Sequence, residues 1–325
     1  MDRRAILTGA AAIGLAGGAS RLVAAPSFPA SAVRFTVPTS ASTPPDILAR
    51  VLATALSDNE GWKVVVENKA GAVMIAAAMD VLSRPADGHS LFPANARISA
   101  LPTLMPKAQF NLERDFVPVI QTGASYNVLV VSPSLPVNSV GDLVAYLKRD
   151  PGKYTYSSGG LATPAHLLGE MFKLETGVKV THVPYVEFPQ AIADLVNGFN
   201  TYQFITTMPV VELIKTGKLR ALAVTGKKRV AALPDVPTIA EAGYPKLVSE
   251  DWAGIMVKTG TPAPVIAKLN AAIDKAIKSD KAREAFAKLG FDPGGGSPEA
   301  FGALVHTEIV RWAKVIKDAG IKASS

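Results

Sequence analysis

The sequence predicts an α/β fold, and three observations support this. Short β-rich runs alternate with amphipathic helical patterns along the chain, which is typical of sheets covered by helices. The run NVLVV at 127–131 is continuously apolar, as expected of a fully buried strand. The chain has 325 residues, 48% of them hydrophobic, whereas single domains cluster near about 100–150 residues. We therefore expect two lobes, each a mostly parallel sheet flanked by helices.

The predicted elements follow from apolar spacing, which alternates in strands and recurs every three or four residues in helices. The first are strands at 33–37, 64–67 and 89–92, with helices at 47–56 and 74–82. The next are strands at 127–131, 154–157, 179–183, 202–205 and 220–224, separated by helices at 140–148, 166–176, 190–197 and 210–215. The last are a short helix within the proline-rich loop at 233–245, a strand at 252–257, and helices at 264–279, 281–289 and 298–317.

This order implies that the chain leaves one lobe and later returns to it. We expect residues 33–126 together with 250–325 to form the first lobe, and residues 127–249 to form the second. Two crossing strands would then span a cleft between the lobes. Ligands of α/β proteins bind in such clefts at the carboxyl ends of strands, so hinge closure around a ligand is the expected motion.

Residues 1–25 have the features of an export signal. Arg3 and Arg4 precede an apolar stretch from Ala5 to Ala19 that is rich in Ala and Gly, and small residues follow it. The stretch is shorter than the roughly 20 residues that span a bilayer as a helix. We therefore expect cleavage near Ala25 and a periplasmic protein, exported by the general secretory or the twin-arginine route.

Composition excludes several kinds of site. The chain has no cysteine, so it has no disulfide, thiolate metal site or cysteine nucleophile. Its net charge of +7 comes from basic residues spread along the chain, and aromatic residues are only 7%, which argues against nucleic-acid binding. The charge suits an anionic small ligand, or reflects an ordinary basic surface. Nucleophile-elbow, Walker A and HExxH motifs are absent, and the histidines share no ligand spacing, so no enzyme activity, metal or cofactor is predicted.

Five stretches then stand out along nearly the whole chain. They are VENKAGA at 66–72, DFVPVI at 115–120, HVPY at 182–185, LRALAVTGKKRVAALPDVPTIAEAGYP at 219–245 and GTPAPVIAKLNAAIDKAI at 260–277. Together they resemble the substrate-binding proteins of tripartite tricarboxylate transporters, the Bug family. The resemblance implies a type II periplasmic-binding-protein fold without catalysis, and we expect the protein to be a monomer. The resemblance also implies a small carboxylate held between two loops by backbone amides and water.

The sequence departs from the family at loops expected to face the ligand. Relatives read like PFPPGGGTD where this chain has PTSASTPPD at 38–46. Glycine eases close backbone approach to an anion, so hydroxyl groups of this loop are the expected substitutes. Glu187 in HVPYVE and the segment NGFNTYQF at 197–204 are further departures. The identity of the ligand therefore stays open.

The predicted ligand-binding residues lie in loops that follow strands. They are Thr39, Ser40, Ala41, Ser42, Asp46, Asn95, Asn127, Ser157, Ser158, Gly159, Thr163, His166, Tyr185 and Thr206. Each also has a structural interpretation. Thr43 and Asp46 match a helix capping box, although a helix N-terminus also binds anions. Residues 157–163 match a plain turn as well as an anion-binding one, and Trp252 is interpreted as core.

The sequence therefore predicts a periplasmic solute-binding protein that closes around a small carboxylate and delivers it to membrane transporter subunits. Two alternatives of other classes stay open. One is a periplasmic sensing module that signals to a membrane kinase. The other is a hydrolase that acts on esters or amides in the same cleft.

Overall fold

The computed structural model describes residues 28–71, 74–161 and 163–322, so the predicted export signal at 1–25 lies outside the described residues. The strands are β1 (Val33–Val37), β2 (Val64–Asn68), β3 (Ser90–Asn95), β4 (Phe116–Ser125), β5 (Asn127–Val131), β6 (Thr155–Ser158), β7 (Thr181–Pro184), β8 (Tyr202–Thr206), β9 (Arg220–Val224), β10 (Asp251–Lys258) and β11 (Asp292–Gly295). The helices are α1 (Pro44–Glu60), α2 (Ile75–Leu82), α3 (Leu101–Leu104), α4 (Leu112–Asp115), α5 (Val140–Arg149), α6 (Pro164–Thr176), α7 (Phe188–Val196), α8 (Val211–Lys215), α9 (Ala263–Ile277), α10 (Asp280–Leu289) and α11 (Pro298–Asp318). Within this described part of the chain, no helix has the length and apolar character to cross a membrane.

The strands form two separate sheets, which confirms the α/β class. The first has the order β11-β4-β10-β3-β1-β2, and the second has the order β7-β6-β8-β5-β9. β1 is parallel to β2 and β3, but β10 is antiparallel to β3 and β4. Likewise β6 is parallel to β7 and β8, while β5 is antiparallel to β8 and β9. The sheets are thus mixed rather than mostly parallel, because the strands that carry the chain between them run against their neighbours.

Two strand connections cross between the sheets and lie side by side, and α11 also crosses, because Phe301 packs with the first sheet and Trp312 with the second. One joins β4 to β5 through Tyr126, and the other enters β10 at Asp251, whose cross-strand partner is Ser125. Thr225 ties them together, because its N–H donates to the Asn127 carbonyl at 2.8 Å and its carbonyl accepts from Ser249 N at 2.9 Å. β5–β9 fall within 127–249 and the other strands fall outside it. The predicted limits of the two lobes stay a prediction.

Helices cover both faces of each sheet. In the first sheet, Phe35 packs with residues of α1, α9 and α10 on one face, and Phe92 packs with residues of α2 and α11 on the other. In the second sheet, Phe204 packs with α5 and α6 while Ile205 packs with α7 and α8. Trp252 is fully buried and meets Phe301 edge-on at 5.2 Å, so its predicted core position is confirmed.

The structure differs from the predicted elements in three places. β4 and β11 were not predicted, since the FVPVIQTGAS and DPGG sequences have no strand alternation. β11 pairs with β4, and glycine at 294 permits this approach, because a Cβ there would lie 2.8 Å from Gly123 N. The short helix predicted at 233–245 is replaced by turns, and a 3-10 helix, Pro245–Leu247, begins only at the end of this segment. Its prolines lack the N–H groups that a helix needs.

Candidate ligand cleft between the two sheets

A cavity of about 450 Å³ is lined by residues of both sheets. This volume lies within the range of about 300–1,000 Å³ for small-molecule sites. Its polar lining includes residues after β1, at the ends of β3, β4 and β8, and at the start of β10: Thr39, Asn95, Arg97, Ser125, Thr206 and Asp251. β1 and β3 are parallel, so their carboxyl ends meet at one sheet edge. The cavity is therefore placed where α/β folds bind ligands.

The cavity brings together three of the predicted site residues, namely Thr39, Asn95 and Thr206. Asn127 lines a small adjoining pocket that shares Arg97 and Asp251 with the main cavity. The other predicted residues do not appear in the lining of the cavity: Ser40, Ala41, Ser42, Asp46, Ser157, Ser158, Gly159, Thr163, His166 and Tyr185. Their contact with a ligand stays a prediction.

Asp46 holds the first predicted ligand loop in place. Its carboxylate, in a residue only 2% exposed, accepts hydrogen bonds from Ser42 N at 2.9 Å, Arg50 Nε at 3.0 Å and Asn68 Nδ2 at 2.8 Å. Burial alone would raise the pKa of Asp46, but the bonds from Arg50, Asn68 and Ser42 lower it. Ser42, exposed with Ser40 and Ala41 on this loop, has a left-handed φ of 65° that the Asp46 carboxylate stabilises.

The N-terminus of α1 offers few donors to an anion. Thr43 is the N-cap as predicted, but its side chain makes no capping hydrogen bond, so the predicted capping box is not formed. The Thr43 hydroxyl instead donates to Ser40 O at 2.8 Å. Thr39 Oγ1 lies 2.7 Å from Thr43 Oγ1 and must be the donor of that pair. Pro44 and Pro45 follow, and proline has no N–H.

The second predicted ligand loop uses its hydroxyl groups internally. Buried Ser158 Oγ lies 2.6 Å from His182 Nε2 and accepts from Gly160 N at 3.1 Å. Thr163 is the N-cap of α6, because its Oγ1 accepts from His166 N at 3.3 Å, and it donates to Gly160 O at 2.7 Å. These bonds pair the Ser158 and Thr163 hydroxyl groups within the loop itself. Gly159 at its tip is exposed.

A buried polar cluster supports this loop from below. The rings of His166 and His182 are 4.3 Å apart, and Tyr156 stacks on His182 at 4.9 Å. Tyr156 OH donates to Glu170 Oε1 at 2.5 Å, and Lys173 Nζ donates to both Glu170 oxygens at 2.8 Å. Burial, and then the neighbouring His166, lowers the pKa of His182 to about 4; burial also lowers that of His166. Both histidines are therefore neutral at pH 7.

We expect His182 to make the protein less stable in mild acid. The histidine pKa rises from about 4 in the folded chain toward 6.5 in the unfolded chain, so the unfolded state binds more protons between these values. The free energy of unfolding should fall as pH is lowered from 6.5 to 4. Urea unfolding at several pH values should show a shallower decline in His182→Gln than in wild type. If the free energy of unfolding of His182→Gln falls with pH as steeply as that of wild type, this expectation is wrong. The control is His306→Gln, which removes an exposed histidine.

Tyr185 and Asn95 bond to neighbouring protein groups, whereas the hydroxyl of Ser157 is buried without a partner among the described residues. Tyr185 OH donates to Asp194 Oδ2 at 2.7 Å and accepts from Asn200 Nδ2 at 2.7 Å. Ser157 is fully buried, and its hydroxyl has no partner among the described residues. Asn95 Oδ1 accepts from Arg97 N at 3.2 Å and so starts the 3-10 turn Ala96–Ala100.

The structure adds cavity residues that were not predicted, above all Arg97, Ser125 and Asp251. Ser125 and Asp251 are cross-strand partners at the two chain crossings. Arg97 follows Asn95 by two residues. A prediction that extended each strand-end position by two residues would have found Arg97. Ser125 required knowledge of β4, which has no strand pattern.

Another cavity of about 450 Å³ lies beside β11. Glu250, Asp274 and Asp292 contribute carboxylates to it, against the ammonium of Lys278. Excess negative charge disfavours an anion there, so the cavity between the sheets is the better candidate for an anionic ligand. No group of three metal-ligating His, Cys, Asp or Glu side chains occurs among the residues described.

Comparison with known proteins agrees with this arrangement. The sequence model of the tripartite tricarboxylate transporter family receptor, TctC, matches residues 48–321. Protein BugT of Bordetella pertussis is 35% identical over 307 residues, covering 94% of each chain. The solved structure of R. palustris Rpa4515 with adipate has a TM-score of 0.75 and 35% identity, covering 91% of this chain and 100% of that one. MatC from Rhodopseudomonas palustris with bound malate has a TM-score of 0.72 and 27% identity, covering 89% and 100%.

These matches confirm the resemblance and the two-lobed α/β fold. Members of the family are periplasmic substrate-binding receptors and not enzymes, so the prediction of no catalysis is confirmed and the hydrolase alternative is set aside. The family model covers most of the chain, including the cavity residues from Leu48 onward. This chain therefore belongs to the tripartite tricarboxylate transporter receptor family, TctC, which includes the Bug proteins.

Proposed function

We propose that this protein captures a small carboxylate anion in the periplasm and delivers it to the membrane subunits of a tripartite tricarboxylate transporter. The observation that carries the proposal is the cavity between the sheets, with Arg97 and several hydroxyl groups in its lining. Adipate and malate, which occupy two solved relatives, are both carboxylates. Export through residues 1–25 is part of the proposal.

Capture would take place by closure of two lobes. One comprises residues 33–126 and 250–325, and the other comprises residues 127–249. The paired crossings at Ser125–Asn127 and Ser249–Asp251 are held together by Thr225, which makes them a natural hinge. Closure would bring the exposed loop around Gly159 toward the cavity rim formed by Thr39. Backbone donors of the second lobe would then reach a ligand that is already seated on the first lobe.

Titration calorimetry of the purified protein against mono-, di- and tricarboxylates tests capture. We expect saturable binding of at least one carboxylate and none of matched neutral amides, since the cavity presents a guanidinium and hydroxyl donors. Uptake of that carboxylate by cells with and without this protein tests delivery. Absence of binding throughout the panel would contradict the proposed function.

A further inference from the structure

The lining of the cavity combines polar and apolar side chains. Arg97, Ser125 and Asp251 contribute charge and hydrogen-bonding groups, whereas Leu48, Leu52 and Ile255 contribute apolar surface. We propose that the ligand carries a single carboxylate, bound by the Arg97 guanidinium, and an apolar aliphatic or aromatic body that packs against this apolar surface. The inference rests on the proposed function and narrows its ligand class.

A hydrogen bond from the backbone N–H of Arg97 fixes the position of this residue beside the cavity. The bond from its N–H to Asn95 Oδ1 starts the 3-10 turn directly after β3. The side chain is exposed and lines both the cavity and the adjoining pocket. A guanidinium presents five donors in a planar fork that matches both oxygens of a carboxylate. The position therefore suits recognition of one carboxylate end of a ligand.

No carboxylate of the described residues forms an ion pair with Arg97. Lys288 also lines the cavity, but its ammonium contacts Glu284 at 2.7 Å. Asp251 lies near enough to Arg97 to feel its charge, yet burial dominates and, with the nearby Glu308, raises the pKa of Asp251 to about 6. Arg97 thus keeps its hydrogen-bonding capacity for a ligand.

Ser125 provides an independent indication of carboxylate binding. The residue is 5% exposed and lines the cavity, and its hydroxyl has no hydrogen-bond partner among the described residues. Buried hydroxyl groups are almost always paired. Ser125 is the cross-strand partner of Asp251, which places this unused hydroxyl beside the charged part of the cavity. A ligand carboxylate oxygen would satisfy it.

The part of the lining contributed by the start of α1 and by Ile255 is poorly suited to a second carboxylate. The Thr39 proton is used by Thr43, and Pro44 and Pro45 have no N–H. Leu48, Leu52 and Ile255 are each less than 5% exposed and cannot pair with charge. Burial of an unpaired carboxylate is strongly unfavourable, so this part of the lining selects an apolar group.

Calorimetry with hexanoate and adipate tests the inference, since the two chains have the same length and differ by one carboxylate. We expect wild type to bind hexanoate more tightly than adipate. Arg97→Gln should weaken hexanoate binding roughly 10- to 100-fold, as expected for loss of a charge-assisted bond. Arg97→Lys should recover part of the loss, because lysine keeps the charge without the fork.

The control is Arg149→Gln, which removes an arginine that stacks on Tyr146 at the end of α5 and is absent from the cavity lining; it should leave binding unchanged. Thermal melting of each variant checks that it is folded. If wild type binds adipate more tightly than hexanoate, or Arg97→Gln binds hexanoate as wild type does, the inference fails while the proposed function stands. If wild type binds no carboxylate, both fail.

Discussion

Replacing Gly169 with alanine is expected to lower the free energy of unfolding by about 3 kcal/mol, near the upper end for overpacked cores. Gly169 lies inside α6, where alanine would ordinarily stabilise a helix by about 1 kcal/mol. Here a Cβ would lie only 2.7 Å from Tyr156 Cδ2 and Cζ. The Tyr156 ring cannot retreat easily, because it is fully buried, stacks on Tyr202 at 5.5 Å and donates its hydroxyl to Glu170.

Gly302→Ala in α11 is the matched control. A Cβ at Gly302 would meet Pro118 Cγ at 3.6 Å, an ordinary van der Waals contact, so alanine should raise the free energy of unfolding by about 0.5–1 kcal/mol. Urea unfolding at pH 7 measures both variants. A stabilised Gly169→Ala would show that the Tyr156 ring is free to move, and would contradict the close packing beneath the second loop.

Replacing Asp46 with alanine is expected to lower the free energy of unfolding by roughly 3 kcal/mol at pH 7, because several hydrogen bonds to one buried charged group are lost. Ser42 N and Asn68 Nδ2 would lose their acceptor. The left-handed Ser42 backbone would also lose its restraint. We therefore expect the loop that contains Thr39 to become more mobile and ligand binding to weaken.

The effect of Asp46 should depend on pH in a defined direction. Its pKa in the folded chain is below the ordinary value of 3.8, so the stabilisation is complete above that value and is lost as pH falls through the folded pKa. The difference in the free energy of unfolding between wild type and Asp46→Ala, measured with urea, should therefore become smaller below about pH 4. Asp58→Ala in the same helix is the control, since Asp58 is 56% exposed and pairs with Lys281 at 3.5 Å. A loss comparable to that of the control, typically below about 1 kcal/mol, would contradict a structural role for Asp46.

Elements with a regular pattern were predicted closely. β1 and β5 have the predicted limits of 33–37 and 127–131, and β9 has those of 220–224. Their apolar residues alone indicate a buried strand. β4 and β11 were missed because proline, glycine and glutamine interrupt any alternation, and pairing with β10 and with each other creates these strands. Such pairing joins segments far apart in sequence, so no local pattern reports it.

The candidate site likewise contains residues that the sequence could identify and residues whose role only the structure could show. Thr39, Asn95 and Thr206 could be predicted because each lies at or just after the end of a recognisable strand. Asp46 was predicted for the ligand from its place in the loop, whereas the structure shows it bonded to Ser42, Arg50 and Asn68. The sequence around a loop aspartate is the same whether its carboxylate faces a ligand or bonds to its own backbone. Only the partners that the fold supplies distinguish the two.

The sequence by itself determined the α/β class, the order of most elements and the resemblance to the receptor family, since these depend on local spacing and linear motifs. The tertiary structure alone decided that Arg97, Ser125 and Asp251 share one cavity with apolar residues of α1 and β10. It also decided that the hydroxyls of Ser158 and Thr163 are used by their own loop. The physical reason is that hydrogen bonding and charge depend on the distance between atoms, and packing brings together groups that the chain keeps far apart.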